Sequence, residues 1–370
     1  MNKRIFIHIF LFVLTVLTTL ISGYEWTTGK VFFASHEPVL VRFKQGFPYC
    51  FGFLLFLTVH EFGHYFMSKK YGIKATLPYY IPMYIGSMSI GSMGAVIRLK
   101  EPCQTRVQFF DIGIAGPLAG LVVGLGLMIY GYATLPPESY IFSIHPEYVK
   151  YGGFPEPKEY QNIPYGLTLG KPLLFKVVEF FMPSEASIPP PQEIMHYPYL
   201  FTAWLALFFT ALNLIPIGQL DGGHIIYGLL GIKGHKWVSK TTILIMVLYG
   251  GIDFMRLESI ESTFEWVLNS SIYLLLLLAI MTKLYGKRSR LWLLATVLVM
   301  SFHVLVSIMF PHVKGYGGYM MFAVIIVRFF GFEHPVARVD TPLNLKRKVL
   351  GWITLVVFIF CISLQPFQIS

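Results

Sequence analysis

Nine apolar runs recur along the chain, near residues 5–22, 48–68, 111–133, 198–217, 241–253, 267–283, 291–310, 318–332 and 347–364. A bilayer-crossing helix needs about 17 to 25 predominantly apolar residues, and most of these runs reach that length. The fifth and eighth are short for a full crossing. Lipid offers no partner for an unpaired backbone N–H or C=O, so a run of this kind closes its own hydrogen bonds as a helix. The pattern predicts an all-α polytopic membrane protein with about nine transmembrane helices. Composition agrees: mean hydropathy is +0.62, with 55% hydrophobic and only 13% charged residues over 370 positions. That balance excludes an ordinary soluble enzyme.

The formal charge of +10 does not signal a nucleic-acid partner, because the cations gather in short loops beside apolar runs, where they set topology. Residues 69–110 carry Lys69, Lys70, Lys74, Arg98, Lys100 and Arg106 against Glu101 alone, so this loop is expected in the cytoplasm. Residues 134–197 carry Lys150, Lys158, Lys171 and Lys176 against Glu138, Glu147, Glu156, Glu159, Glu179, Glu185 and Glu193, so this insertion is expected outside. Asp253, Glu258, Glu261 and Glu265 outweigh Arg256 on the next outer loop. Lys283, Lys287, Arg288 and Arg290 mark an inner one, and Lys346, Arg347 and Lys348 the last. Alternation of this kind predicts a cytoplasmic amino end and an extracytoplasmic carboxyl end; the expected location, which the alternation itself does not set, is a bacterial inner membrane. Lys3 and Arg4 before the first run resemble a signal peptide, but no A-x-A-like site follows, and a retained first span is expected. Cys50, Cys103 and Cys361 form no C-x-x-C pair and indicate neither a disulfide framework nor a thiolate metal site.

The second run contains His60-Glu61-Phe62-Gly63-His64. Two histidines four apart sit one helical turn above each other on one face and can grip one metal ion, with Glu61 placed as general base. Ionisable groups in a membrane helix are costly unless they face a cavity or a partner, so a zinc site is the favoured reading over polar residues tolerated near a helix end. On the expected topology the second and fourth spans both run inward, which places His60 and His64 in the inner half of the bilayer. The fourth span ends in Asn213-Leu214-Ile215-Pro216-Ile217-Gly218-Gln219-Leu220-Asp221-Gly222-Gly223-His224. Pro216 and Gly218 predict a break in the helix, tolerated at membrane depth where it lines an enclosed cavity. Asp221 beyond the break supplies a third ligand at the same depth, and two His plus one carboxylate with a fourth position for water is the coordination of a catalytic zinc. The competing reading of Asp221 is a helix N-cap. Asn213 either donates to a developing oxyanion or caps the break, and His224 either supports Asp221 or simply packs.

Two further segments carry pattern. Ile85 to Arg98, with Gly86, Gly91 and Gly94, predicts a short re-entrant β-hairpin or a plain loop. As a hairpin, its edge can pair with an unwound substrate by strand addition. The third run opens with Phe110-Asp111-Ile112-Gly113-Ile114-Ala115-Gly116-Pro117-Leu118-Ala119-Gly120. Its small residues at spacings of three and four allow close helix packing, and Asp111 reads as a helix-start or boundary residue.

Together, HEFGH at 60–64, FDIGIAGPLAG at 110–120 and NLIPIGQLDGGH at 213–224, in that order, resemble the site-2 protease family of intramembrane zinc metalloproteases, over about residues 48–232. Gly351-Trp352 after Lys346-Arg347-Lys348 more weakly resembles the carboxyl end of its bacterial and plastid-type branch. The resemblance implies one Zn2+ held by His60, His64 and Asp221, with Glu61 activating water to cut a membrane-protein substrate with a single transmembrane helix. It also implies a place in regulated intramembrane proteolysis. Neither the PDZ nor the CBS module of several relatives is identifiable. The expected organisation is a first helix and outer loop over 1–47, a metalloprotease core over 48–232 with the insertion at 134–197, and carboxyl-terminal helices over 233–370. Within the insertion, Leu173 to Phe181 reads as an amphipathic piece on the membrane surface, against a proline-rich disordered loop. The rival functions are a membrane transporter, which has no need of Glu61 beside its first ligand, and a catalytically silent scaffold, which could lose any of the four residues. Oligomeric state is not legible.

Overall fold

The computed structural model describes residues 3–86, 89–155, 166–183, 188–255, 263–286 and 289–369. Ser87 and Met88 of the glycine-rich segment, and the loop charges Glu156, Lys158, Glu159, Glu185, Arg256, Glu258, Glu261, Lys287 and Arg288, lie outside the described residues. In chain order the elements are α1 (Lys3–Thr28), α2 (Val39–Lys70), β1 (Tyr79–Pro82), β2 (Ser92–Val96), α3 (Arg106–Ala133), β3 (Leu167–Leu169) and α4 (Leu173–Phe180). These are followed by α5 (Pro198–Leu214), α6 (Asp221–Gly250), α7 (Thr263–Tyr285), α8 (Leu291–Met309), α9 (Gly317–Ile325), α10 (Leu345–Cys361) and β4 (Phe367–Ile369). A π-helical turn, Ile326–Phe330, extends α9. The fold is thus mainly helical, and among the described residues five helices are long and apolar enough to cross a membrane: α1, α3, α6, α7 and α8. Pro198–Leu214 and Gly317–Phe330 are apolar but shorter. Helix α2, with the HEFGH residues, is outside the five; Arg42, Lys44, Glu61, Lys69 and Lys70 dilute its apolar character.

Met1–Gln104, Asp111–Asn213 and Trp352–Ser370 form one compact unit, and Thr105–Phe110 with Leu214–Gly351 a second. In the first unit α1 lies against α2 at glycines. A Cβ on Gly46 would fall 2.1 Å from the carbonyl oxygen of Leu20, and one on Gly23 would fall 2.5 Å from that of Gly46, so the two backbones approach as only small residues allow. The core below them is built from Tyr49, Phe53, Phe56, Phe201, Trp204 and Met128, all nearly fully buried. Strands β1 and β2 pair antiparallel, with Tyr79 opposite Val96, Tyr80 opposite Ala95 and a shift in register before Pro82 opposite Ser92. The hairpin therefore begins earlier than the glycine-rich segment that signalled it. It is fixed to α1, where Thr18 Oγ1 donates to the Gly91 carbonyl at 2.6 Å and Trp26 Nε1 to that of Ser89 at 2.9 Å.

The described residues of the insertion form an irregular cap of 3-10 turns (Glu138–Ser143, Pro146–Tyr151 and Ile194–His196) with the short helix α4. On α4 Phe175 is buried, whereas Phe180 and the following Phe181 are 82% and 78% exposed. This places an apolar edge on the surface, as the amphipathic reading requires. Strand β3 of the insertion pairs antiparallel with β4 near the carboxyl end, so these two segments share one pole of the unit. His196 donates from Nδ1 to the Trp26 carbonyl at 2.8 Å, which brings the end of α1 to the same pole. Burial, with the His145 imidazole beside it, pulls His196 down to about 4. The start of α1 sits elsewhere, where His8 meets the Pro78 carbonyl at 3.1 Å and lies tilted against the Tyr79 ring.

In the second unit the chain leaves α5 at Leu214 and turns through Ile215 to Leu220 before α6 begins at Asp221. Pro216 and Gly218, at φ +56°, break the helix where the sequence predicts. The exposed carbonyls of the break are taken up by α6 itself: His235 Nε2 donates to the Gly218 oxygen at 3.0 Å and Ser239 Oγ to that of Pro216 at 3.2 Å. Irregular backbone at membrane depth needs such partners. The tight return also explains the paired glycines after Asp221. A Cβ on Gly222 would lie 2.0 Å from the Leu214 oxygen, and one on Gly223 would lie 2.3 Å from that of Gly218. Helix α6 differs from the sequence reading, which placed a span only at 241–253. It runs from Asp221 to Gly250 with one non-helical residue, Gly231 at φ +70°. Lys233, His235, Lys236 and Lys240 interrupt the apolar pattern and hid its first half. Further along, His303 on α8 accepts from Tyr273 of α7 and donates to the Leu248 carbonyl of α6 at 2.8 Å, joining three helices by polar contacts in an apolar setting.

Candidate metalloprotease site

Helix α2 places His60 and His64 one turn apart, and both rings are buried, at 3% and 7% exposure. Their Nε2 atoms face each other at 3.1 Å. Zinc bonds of about 2.0–2.1 Å at tetrahedral angles put neighbouring ligand atoms about 3.3 Å apart, so this pair has the spacing of two ligands on one ion. The other face of His64 is held: its Nδ1 donates to the carbonyl oxygen of Ile112 on α3 at 2.7 Å. With the proton fixed on Nδ1, Nε2 presents its lone pair, which is how metal-bound imidazoles are oriented.

The glycine pattern of α3 acts on this site directly. A Cβ on Gly116 would lie 2.1 Å from His64 Nε2 and one on Gly120 would lie 3.1 Å from His60 Nδ1. On the α2 side, a Cβ on Gly63 would lie 2.6 Å from the Ala115 oxygen. The small residues therefore let two helices close together and also leave room for the imidazoles. The sequence reading assigned them to packing alone; their spacing signals a close helix contact, and only the register of α3 on α2 shows which side chains occupy the space.

Glu61 follows on the same turn, 7% exposed, and its Oε2 accepts the Ile97 amide at 3.0 Å, just beyond β2. The general-base candidate is thus anchored beside the hairpin. Asn213, the last residue of this unit before the break, places Nδ2 3.3 Å from His60 Nε2. Its amide lies at the histidine pair.

Asp221 belongs to the second unit. It is the first helical residue of α6, with Leu220 as N-cap, and a helix N-terminus favours a carboxylate. The N-cap reading of Asp221 is therefore corrected: Leu220 holds that position. His224 packs in the same unit against Phe109 and shares a 2.7 Å contact from Nδ1 to His334 Nε2. The helix-start reading of Asp111 is also corrected. Helix α3 starts at Arg106, not near 111, so Asp111 is an interior residue, and it accepts a hydrogen bond from the Tyr71 hydroxyl.

Long apolar helices, a two-stranded hairpin and a buried His pair with a neighbouring glutamate define the class as a multi-pass membrane protein with a hydrolytic metal motif. The sequence profile of peptidase family M50 matches residues 48–252, more than half of the chain, and the protein belongs to that family. It is 30% identical over 210 residues to the probable zinc metalloprotease EGY2, chloroplastic, of Arabidopsis thaliana, a match covering 55% of this chain and 32% of that protein. It is 27% identical over 185 residues to the probable zinc metalloprotease EGY1, chloroplastic, of the same plant, covering 50% and 30%. A zinc metalloprotease of Methanocaldococcus jannaschii is 26% identical over 208 residues, covering 53% and 41%. The chain thus spans about a third of the length of the plant relatives. No solved structure matches it.

Proposed function

We propose that the chain is a zinc-dependent intramembrane metalloendopeptidase that hydrolyses a transmembrane helix of a membrane-protein substrate, in the setting of regulated intramembrane proteolysis. The observation that carries this reading is the buried His60–His64 pair, 3.1 Å between Nε2 atoms, with Glu61 beside it on α2. Its donor set suits zinc: two buried imidazoles whose Nε2 atoms face each other, with the His64 proton held on Nδ1 by the Ile112 carbonyl. His60, His64 and Asp221 are the proposed ligands, and a zinc ion in that place supplies Lewis acidity and lowers the pKa of water.

The chain's own groups do the rest. Glu61 takes a proton from the attacking water and passes it to the leaving amine nitrogen. Asn213 Nδ2 donates to the carbonyl oxygen as charge develops on it. Peptide hydrolysis needs an extended, unwound segment, and the edge of β2 away from β1, which pairs with no other strand among the described residues, offers backbone partners for one by strand addition. Glu61, bonded to Ile97 at the end of that strand, then lies beside the segment so bound. A transporter reading gives no role to a carboxylate in this position.

The loop charges support a cytoplasmic amino end and an extracytoplasmic insertion and carboxyl end, with β3–β4 pairing as the structural counterpart of the last two. On that orientation the cut falls in the cytoplasmic half of the bilayer. Purified enzyme in proteoliposomes with a single-span substrate is expected to cleave it within the apolar segment, as mapped by mass spectrometry of the products. Cleavage confined to the flanking polar residues would contradict an intramembrane site.

A further inference from the structure

The insertion gathers a second set of metal-ligating groups, far along the chain from HEFGH. His145, between two 3-10 turns, meets Glu193 and His196 of the turn that precedes α5, and one ligand atom from each lies within 4.8 Å of the others. The individual separations are 3.3 Å from His145 Nε2 to His196 Nε2, 3.5 Å from His145 Nε2 to Glu193 Oε2, and 3.8 Å from His196 Nε2 to Glu193 Oε2. They approach the about 3.3 Å edge of a tetrahedral zinc shell and repeat the Nε2-to-Nε2 facing of His60 and His64.

The outer contacts decide which atoms face inward. His196 Nδ1 meets the Trp26 carbonyl at 2.8 Å, and a carbonyl can only accept, so the ring proton is on Nδ1. His145 Nδ1 meets Glu147 Oε1 at 3.2 Å, and a carboxylate likewise accepts. In the neutral tautomers that these contacts favour, both Nε2 atoms turn their lone pairs toward the same place, together with Glu193 Oε2. Glu193 Oε1 is steadied by the Tyr148 hydroxyl at 2.9 Å. Three donors gathered this closely suit a shared cation, and carboxylate or carbonyl partners on the far ring nitrogens are how proteins orient metal-bound imidazoles. Glu193 and His196 are 2% and 6% exposed, whereas a cleft lined by Tyr130, Tyr140, Tyr197 and Tyr199 reaches His196 and gives access.

The structure assigns a second divalent-metal site, of the Zn2+ class, to His145, Glu193 and His196. It fastens the 3-10 turns of the insertion to the segment entering α5 and, through the Trp26 carbonyl, to the end of α1. The site is independent of the proposed peptidase centre.

The test uses the full chain in detergent, stripped of metal and titrated with Co2+ as the probe. Wild-type protein is expected to bind two equivalents. The His60→Ala/His64→Ala variant is expected to keep one, with tetrahedral Co2+ absorption and a metal-dependent rise in Tm. Adding Glu193→Gln, or separately His145→Ala, is expected to weaken that remaining binding at least about tenfold, the usual scale for damage to a metal shell. His145 is the more exposed ligand and Glu193→Gln is nearly isosteric, so the two variants guard against a folding defect in one. No Co2+ in the His60→Ala/His64→Ala variant, or binding that survives both added substitutions, would overturn the assignment, whereas a single equivalent in the wild type that the His60→Ala/His64→Ala variant keeps would support it and count against the peptidase centre alone.

Discussion

Glu61→Gln is expected to reduce cleavage of a co-expressed single-span substrate by about 100- to 10,000-fold, the range attributed to a positioned acid–base group, with zinc content unchanged. The side chain keeps its size and can still meet the Ile97 amide through its carbonyl oxygen, which Glu61 contacts at 3.0 Å. What it loses is the capacity to take and return a proton. The two readouts separate chemistry from assembly: loss of cleavage with zinc retained places Glu61 in proton transfer, whereas loss of both makes it a structural support. Undiminished cleavage would refute the mechanism.

Gly116→Ala is expected to lower zinc affinity and cleavage together, although it alters no proposed ligand. The added Cβ would come 2.1 Å from His64 Nε2, well inside any van der Waals contact, so something must move. His64 is pinned by its 2.7 Å bond to Ile112 on the same helix as Gly116; the ring either leaves that carbonyl or pushes α2 from α3. In both cases the Nε2 pair loses its facing geometry. Misplacing a metal-bound imidazole through its surroundings typically costs about 10- to 100-fold in affinity or activity. Zinc titration of the purified variant checks this, and wild-type affinity would show that α3 does not set the imidazole position.

The mainly helical character was legible because an apolar run long enough to span lipid has few alternatives to a helix, though five helices rather than nine are long and apolar enough to cross among the described residues. The HEFGH geometry was legible because helical spacing alone places His60 over His64. Legibility failed where polar residues served tertiary contacts. His235 and Ser239 satisfy the carbonyls of the break at Pro216 to Gly218, and with their lysine neighbours they concealed the first half of α6. Strand β1, Tyr79–Pro82, lacks a clean alternation and ends in proline; it pairs with β2 and leans on α1, as His8 against Tyr79 shows. The clearing role of Gly116 depends on the register of two helices. Glu193 read only as one of several loop charges, because its partnership with His145 exists only once the insertion has folded.

The central claim is that His60, His64 and Asp221 hold one zinc, and its most direct test is the zinc affinity of Asp221→Ala. Measured in a His145→Ala background, so that the insertion cluster does not contribute, the parent is expected to bind one zinc per chain. Asp221→Ala is expected to fall to well below one at the same limiting free zinc, because two imidazoles without the carboxylate form an incomplete shell. Zinc content and affinity unchanged by Asp221→Ala would contradict the account.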